Sequence, residues 1–192
     1  MRKPSLQPTK LLPCLFETVD EELPLTVFHI GPALPDTIDF FSSFRCKLHF
    51  IDLFSELPVN HQHDGEPTIA AQFAAMLKFP ADTRFDICLF WDVFNYLDRE
   101  AISAFLTTLR PHLKDTSLAH AFSVHNRNAV QGDHLYGISQ RDAISFRSRR
   151  TALPGYAPHS QSELKTLLHC FTVARSVLLP DSRLELLLHA RL

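Results

Sequence analysis

Residues 25–41, LTVFHIGPALPDTIDFF, constrain the fold of this chain more than any other stretch. The apolar run Leu25–Ile30 is too short for an independent helix and rich in β-formers, which predicts a buried strand. Gly31-Pro32 ends that strand. Asp36 or Thr37 is then placed to cap a helix whose apolar face carries Ile38, Phe41 and Phe44. Strand, glycine turn and helix make the opening unit of an open α/β sheet, in which ligands sit beyond the carboxyl ends of the strands. Loop 31–35 is therefore where a small molecule is expected.

The rest of the chain extends the same pattern. Residues 1–23 read as a proline-broken arm followed by a short amphipathic helix, with Leu11, Leu12, Leu15, Phe16 and Val19 at helical spacing. KLHFIDL (47–53) alternates polar and apolar residues and carries Asp52 near its carboxyl end, as a second strand would. Ile69, Phe73, Met76 and Leu77 form one helical stripe after Pro67. FDICLFW (85–91) is apolar on both faces and so predicts a central strand, with Asp92 just past it. Asp98 caps a helix that buries Ala101, Ile102, Phe105, Leu106 and Leu109. SLAHAFSV (117–124) reads as a further strand, with His125 at its end. Ser160-x-x-Glu163 is a capping box for a last helix. The final strands, 171–178 and 184–189, are joined by a turn too short for a crossover, so they must pair antiparallel.

With 192 residues, one domain over residues 1–192 is expected: an arm and helix at 1–23, then an α/β core at 24–192 with a cationic loop at 132–156. A net charge of -2 implies no general pull towards nucleic acid or membrane. No stretch approaches the roughly 20 apolar residues of a membrane span, and a soluble, cytoplasmic protein is the expectation. Cys14, Cys46, Cys88 and Cys170 lack C-x-x-C spacing and read as free, mostly buried thiols. His61, His63 and Asp64 lie in a polar loop without further ligands at metal spacing, so no metal site is expected. Loop 132–156 shows little periodicity. Its Arg141, Arg147, Arg149 and Arg150 face only Asp133 and Asp142 nearby, which suits either a solvated loop or a clamp for an anionic substrate.

Alternating strands and helices that finish in an antiparallel hairpin resemble the class I S-adenosylmethionine (SAM)-dependent methyltransferases. The segment FDICLFWDVFNYLDREAISAFLTTLRPHLKDTSLAHAF looks like that family's fourth strand, following helix and fifth strand, through its F-D start and its L-R-P-x-L before the next strand. The resemblance covers roughly residues 24–191. It implies a doubly wound, mostly parallel sheet with helices on both faces and an antiparallel C-terminal strand, and it implies SAM as cofactor. By position, Gly31, Pro32 and Ala33 correspond to the loop around the methionine part. Asp52 would hold the ribose hydroxyls, and Trp91 and Asp92 would line the methyl-donor pocket. Asp92, His125 and Tyr96 are the base candidates where the acceptor must lose a proton.

The loop also departs from the family's pattern. His29 stands where an acidic residue is usual, and Ala33 and Pro35 stand where glycines are usual. A third strand with its acidic residue is not evident between Asp52 and Phe85. Two readings follow: methyl transfer to a small, medium-sized or protein acceptor, or a methyltransferase-fold module that binds a protein partner without catalysis. Nucleic-acid binding through 141–150 is the weakest option, because the chain is acidic and carries few interleaved aromatics there.

Overall fold

The main sheet is built around β4 (Phe85–Trp91), six of whose seven residues are buried. It lies between β2 (Leu25–Ile30) and β5 (Leu113–Val124) and is parallel to both, with β3 (Cys46–Ile51) parallel beyond β2. β9 (Arg183–Ala190) runs antiparallel beside β5, and β8 (Phe171–Leu178) pairs antiparallel outside it. The order is β3-β2-β4-β5-β9-β8. The expected mixed sheet with a terminal hairpin is present in this computed structural model, which describes residues 4–17, 19–20, 22–60, 65–128 and 132–192. The His61, His63 and Asp64 loop lies outside the described residues.

One face of the sheet is covered by α2 (Ile69–Met76), α3 (Arg99–Leu109) and α4 (Gln161–Leu167). Each starts where a side chain satisfies the free N–H groups of the first turn. Thr68 accepts from Ala71, Asp98 accepts from Ala101, and Ser160 and Glu163 form the predicted capping box. Phe73, Phe90, Phe94 and Phe105 interlock edge to face beneath these helices.

The opposite face departs from the sequence-based expectation in three places. α1 (Pro35–Phe41) begins with Leu34 at its N-cap, and neither Asp36 nor Thr37 caps it. Their side chains bond across the molecule instead, as described below. The arm does not form the predicted helix: it makes β1 (Ser5–Pro8) and one 3₁₀ turn, Leu12–Leu15. Pro8 and Pro13 remove the N–H groups a helix would need there, although Leu11, Leu12, Leu15 and Phe16 are buried as the pattern required. The arm is held by Glu185 of β9, whose carboxylate accepts from the N–H groups of Lys10, Leu11 and Leu12 and from His120 at 2.9 Å. Burial alone would raise the Glu185 pKa. The hydrogen bonds from His120 and the arm outweigh it and keep the group below the ordinary carboxylate range.

The third departure concerns 132–156, expected as an irregular loop. It folds into a hairpin of β6 (His134–Gln140) and β7 (Ala143–Ser148), and β1 adds to β7 to give the small sheet β1-β7-β6. Tyr136, Ile138 and Ile144 are buried, and the ladder turns at Arg141-Asp142. The period-2 signal was there but spans only a few residues on each side of the turn, and the arginines between the apolar positions masked it. Gly137 has a specific cause: a Cβ there would lie 3.0 Å from Thr37 Oγ1 and from Ser145 Oγ, so glycine lets β6 lie directly on α1.

Candidate functional site

The carboxyl ends of β2, β3 and β4 meet under the β6–β7 hairpin. Gly31 ends β2 with φ +121°, in the region that favours glycine, and its N–H donates to Ile51 of β3 at 2.8 Å. Ala33 and Pro35, the two loop residues that replace the usual glycines, are exposed, so their side chains do not fill the crevice. Asp52 follows β3, and its Oδ1 is buried without a hydrogen-bond partner, 3.8 Å from Arg149 Nη2.

Asp92 follows β4. It is buried, and its Oδ2 accepts from the Tyr136 hydroxyl at 3.1 Å while its Oδ1 has no partner. Arg183 Nη1 donates to the same Tyr136 oxygen at 3.1 Å, and its other nitrogens hold Asp181 and, from the arm, Gln7. Burial pushes the Asp92 carboxyl up to about 7, with the Tyr136 hydrogen bond and the Arg183 and Arg149 charges offsetting part of that rise. A carboxyl poised near neutrality suits proton transfer.

β7 presents alternate residues 145 and 147 to the same side, and Arg149 follows just past the strand's end. Ser145 Oγ donates to Asp36 Oδ2 at 2.5 Å, and Arg147 Nη2 donates to the same oxygen at 2.9 Å. Thr37 Oγ1 accepts from the Ile138 N–H at 3.1 Å. Arg147 Nε and Nη1 are buried without partners. Arg149 lies over the Phe54 ring at 4.7 Å and bonds the His134 carbonyl. Arg149 and Arg150 also border a cavity of about 400 Å³ with Phe54, Leu135 and Leu153.

The other residues singled out in the sequence are placed differently. Trp91 has φ +52°, a strained value for a non-glycine residue at the end of the central strand. Its ring turns into the core and stacks on Tyr136 at 5.4 Å, and its Nε1 donates to His29 Nε2 at 3.2 Å. Burial pulls His29 down to about 3, so it stays neutral and accepts that bond. Tyr96 donates to Asp133 at 2.5 Å. His125 is exposed at the end of β5, with its N–H on Ser182. Arg141 sits over Phe44. Of the four arginines, Arg147 and Arg149 reach the crevice and Arg150 its rim. Sequence reasoning missed Tyr136, Arg183, Ser145 and the role of Asp36, because each acts through a partner distant in the chain. Only the short alternation around Arg141-Asp142 could have signalled the first and third.

No family model matches the sequence, and neither does any curated protein. Solved structures similar to this one include 1,6-didemethyltoxoflavin-N1-methyltransferase of Burkholderia thailandensis, with bound 1,6-didemethyltoxoflavin and S-adenosylhomocysteine. The two are 15% identical, at a TM-score of 0.49 over 88% of this chain and 72% of that one. The glycopeptide N-methyltransferase MtfA complexed with SAM gives 11%, 0.48 and 88% of each chain. The pyocyanin biosynthetic protein PhzM gives 13% and 0.49, and this chain spans 54% of its length. The sheet order described above carries the fold assignment, a doubly wound, mostly parallel Rossmann-like arrangement closed by an antiparallel C-terminal hairpin.

Proposed function

We propose that this chain is a SAM-dependent methyltransferase-like protein that transfers a methyl group to a small or medium-sized acceptor. The observation that supports it is the pair of buried carboxylate oxygens without a hydrogen bond, Asp52 Oδ1 (3.8 Å from the Arg149 guanidinium) and Asp92 Oδ1, just past the ends of β3 and β4. Buried polar atoms without hydrogen bonds are uncommon in folded proteins, and a bound ligand is the explanation this reading gives for these two. A carboxylate at Asp52 suits a vicinal diol, because it can accept two hydrogen bonds. Ala33 and Pro35 are exposed, so their side chains do not plug the turn, and the Asp52 carboxylate suits the ribose of an adenosyl ligand.

When bound, SAM supplies an electrophilic methyl on a sulfonium. This chain's own residues supply position and a proton acceptor. Asp92 Oδ1 takes the proton from an acceptor that must lose one, while the Tyr136 hydroxyl donates to its other oxygen and is itself held by Arg183. The cavity bordered by Phe54, Arg149 and Arg150 offers an apolar floor and a cationic rim for the acceptor. Among the described residues no helix is long and apolar enough to cross a membrane.

Isothermal titration of the full chain with SAM and S-adenosylhomocysteine tests the reading. Binding is expected, and Asp52→Ala should weaken it about tenfold or more, as losing a charge-assisted hydrogen bond does. Absence of heat up to high micromolar ligand overturns it.

A further inference from the structure

Arg147 is the least explained charge in the crevice. Its Nη2 is held by Asp36, yet its Nε and Nη1 donors are buried and bond nothing. A buried guanidinium with idle donors is costly unless an acceptor arrives. Asp36 is in the complementary position: Ser145 and Arg147 share its Oδ2, and a carboxylate has capacity for about four hydrogen bonds. The pair stands at the start of α1, directly after loop 31–35. Arg147 lies in β7 and Arg149 just past its end. One faces Asp36 and the other faces Asp52.

His29 sharpens the question. The resemblance places an acidic residue at its position, whereas His29 is wholly buried, neutral and bonded to Trp91. Asp36, at the start of α1 just after loop 31–35, is a carboxylate that a cationic ligand group could meet instead.

We infer that Asp36 and Arg147 form a clamp for a zwitterionic α-amino acid end. Asp36 accepts from the ligand's ammonium, and Arg147 Nε or Nη1 donates to its carboxylate. The recognition of that end has thus moved from the turn after β2 to the contact between α1 and the hairpin. The clamp rests on the proposed SAM-site reading and identifies which residues grip the far end of that ligand from the ribose.

The test compares S-adenosylhomocysteine with 5′-methylthioadenosine, which has the same nucleoside and thioether but no amino acid. Both are titrated calorimetrically into the full chain and into Arg147→Gln and Asp36→Asn variants. The wild type should bind S-adenosylhomocysteine at least tenfold tighter. Each variant should lose roughly tenfold for that ligand and leave methylthioadenosine affinity unchanged, which also reports a folded site. A variant that keeps the wild-type ratio overturns the clamp. Equal wild-type affinity for the two ligands overturns the clamp but keeps the SAM-site reading. Failure of the wild type to bind either ligand overturns both.

Discussion

The two faces of the main sheet are covered by different kinds of structure. Under α2, α3 and α4 the contacts are between apolar and aromatic side chains, and the capping residues satisfy their own helices. Under α1, the arm and the hairpin, charged and hydroxyl groups reach across long sequence distances: Ser145 to Asp36, Arg149 to Asp52, Tyr136 to Asp92, and the arm to Glu185. Apolar packing depends on shape and area and tolerates many sequences. A buried polar network holds one arrangement or fails, and it leaves reactive atoms aimed at a defined place. Both faces bury an apolar core, and the second adds a long-range polar network to it.

Glu185→Ala should cut deepest into that contrast. It leaves His120 buried without its partner and three arm N–H groups without an acceptor, at a cost of about 3–5 kcal/mol in urea unfolding. Limited proteolysis should then cleave the arm ahead of the helices. Uniform cleavage would show that the two faces do not differ in this way.

Asp92→Asn has a smaller effect that depends on pH. The carboxyl is raised from 3.8 to about 7 in the folded chain, so it binds its proton more tightly folded than unfolded. Its stabilising contribution is full below about pH 4 and is lost as pH rises through 7. The asparagine variant should therefore be more stable than wild type at pH 8 by about 2–4 kcal/mol, with the gap closing towards pH 4. A pH-independent difference would remove the assignment of a proton-holding group here.

Asp98→Ala, on the helical face, should cost about 1 kcal/mol through the lost cap of α3 and leave S-adenosylhomocysteine binding unchanged. A change in binding would mean that the helical layer also shapes the site.

Local sequence signals dictated the sheet. The β-rich runs at 25–30 and 85–91, the Asp98 cap, the Ser160–Glu163 capping box and the short turn before β9 each act within a few residues, and each element formed where they pointed. Gly31, Asp52 and Asp92 were equally legible, because strand ends in an open sheet fix their position. Tertiary structure alone decided what lies above those ends. Asp36 and Thr37 look like helix caps in the sequence, yet a glycine in β6 lets the hairpin approach and take their oxygens. The proline-broken arm looked helical until Glu185, some 175 residues away, supplied the acceptor its N–H groups lacked. Propensity reports the local energy of a backbone, whereas such long-range bonds exist only once two distant segments are already packed together.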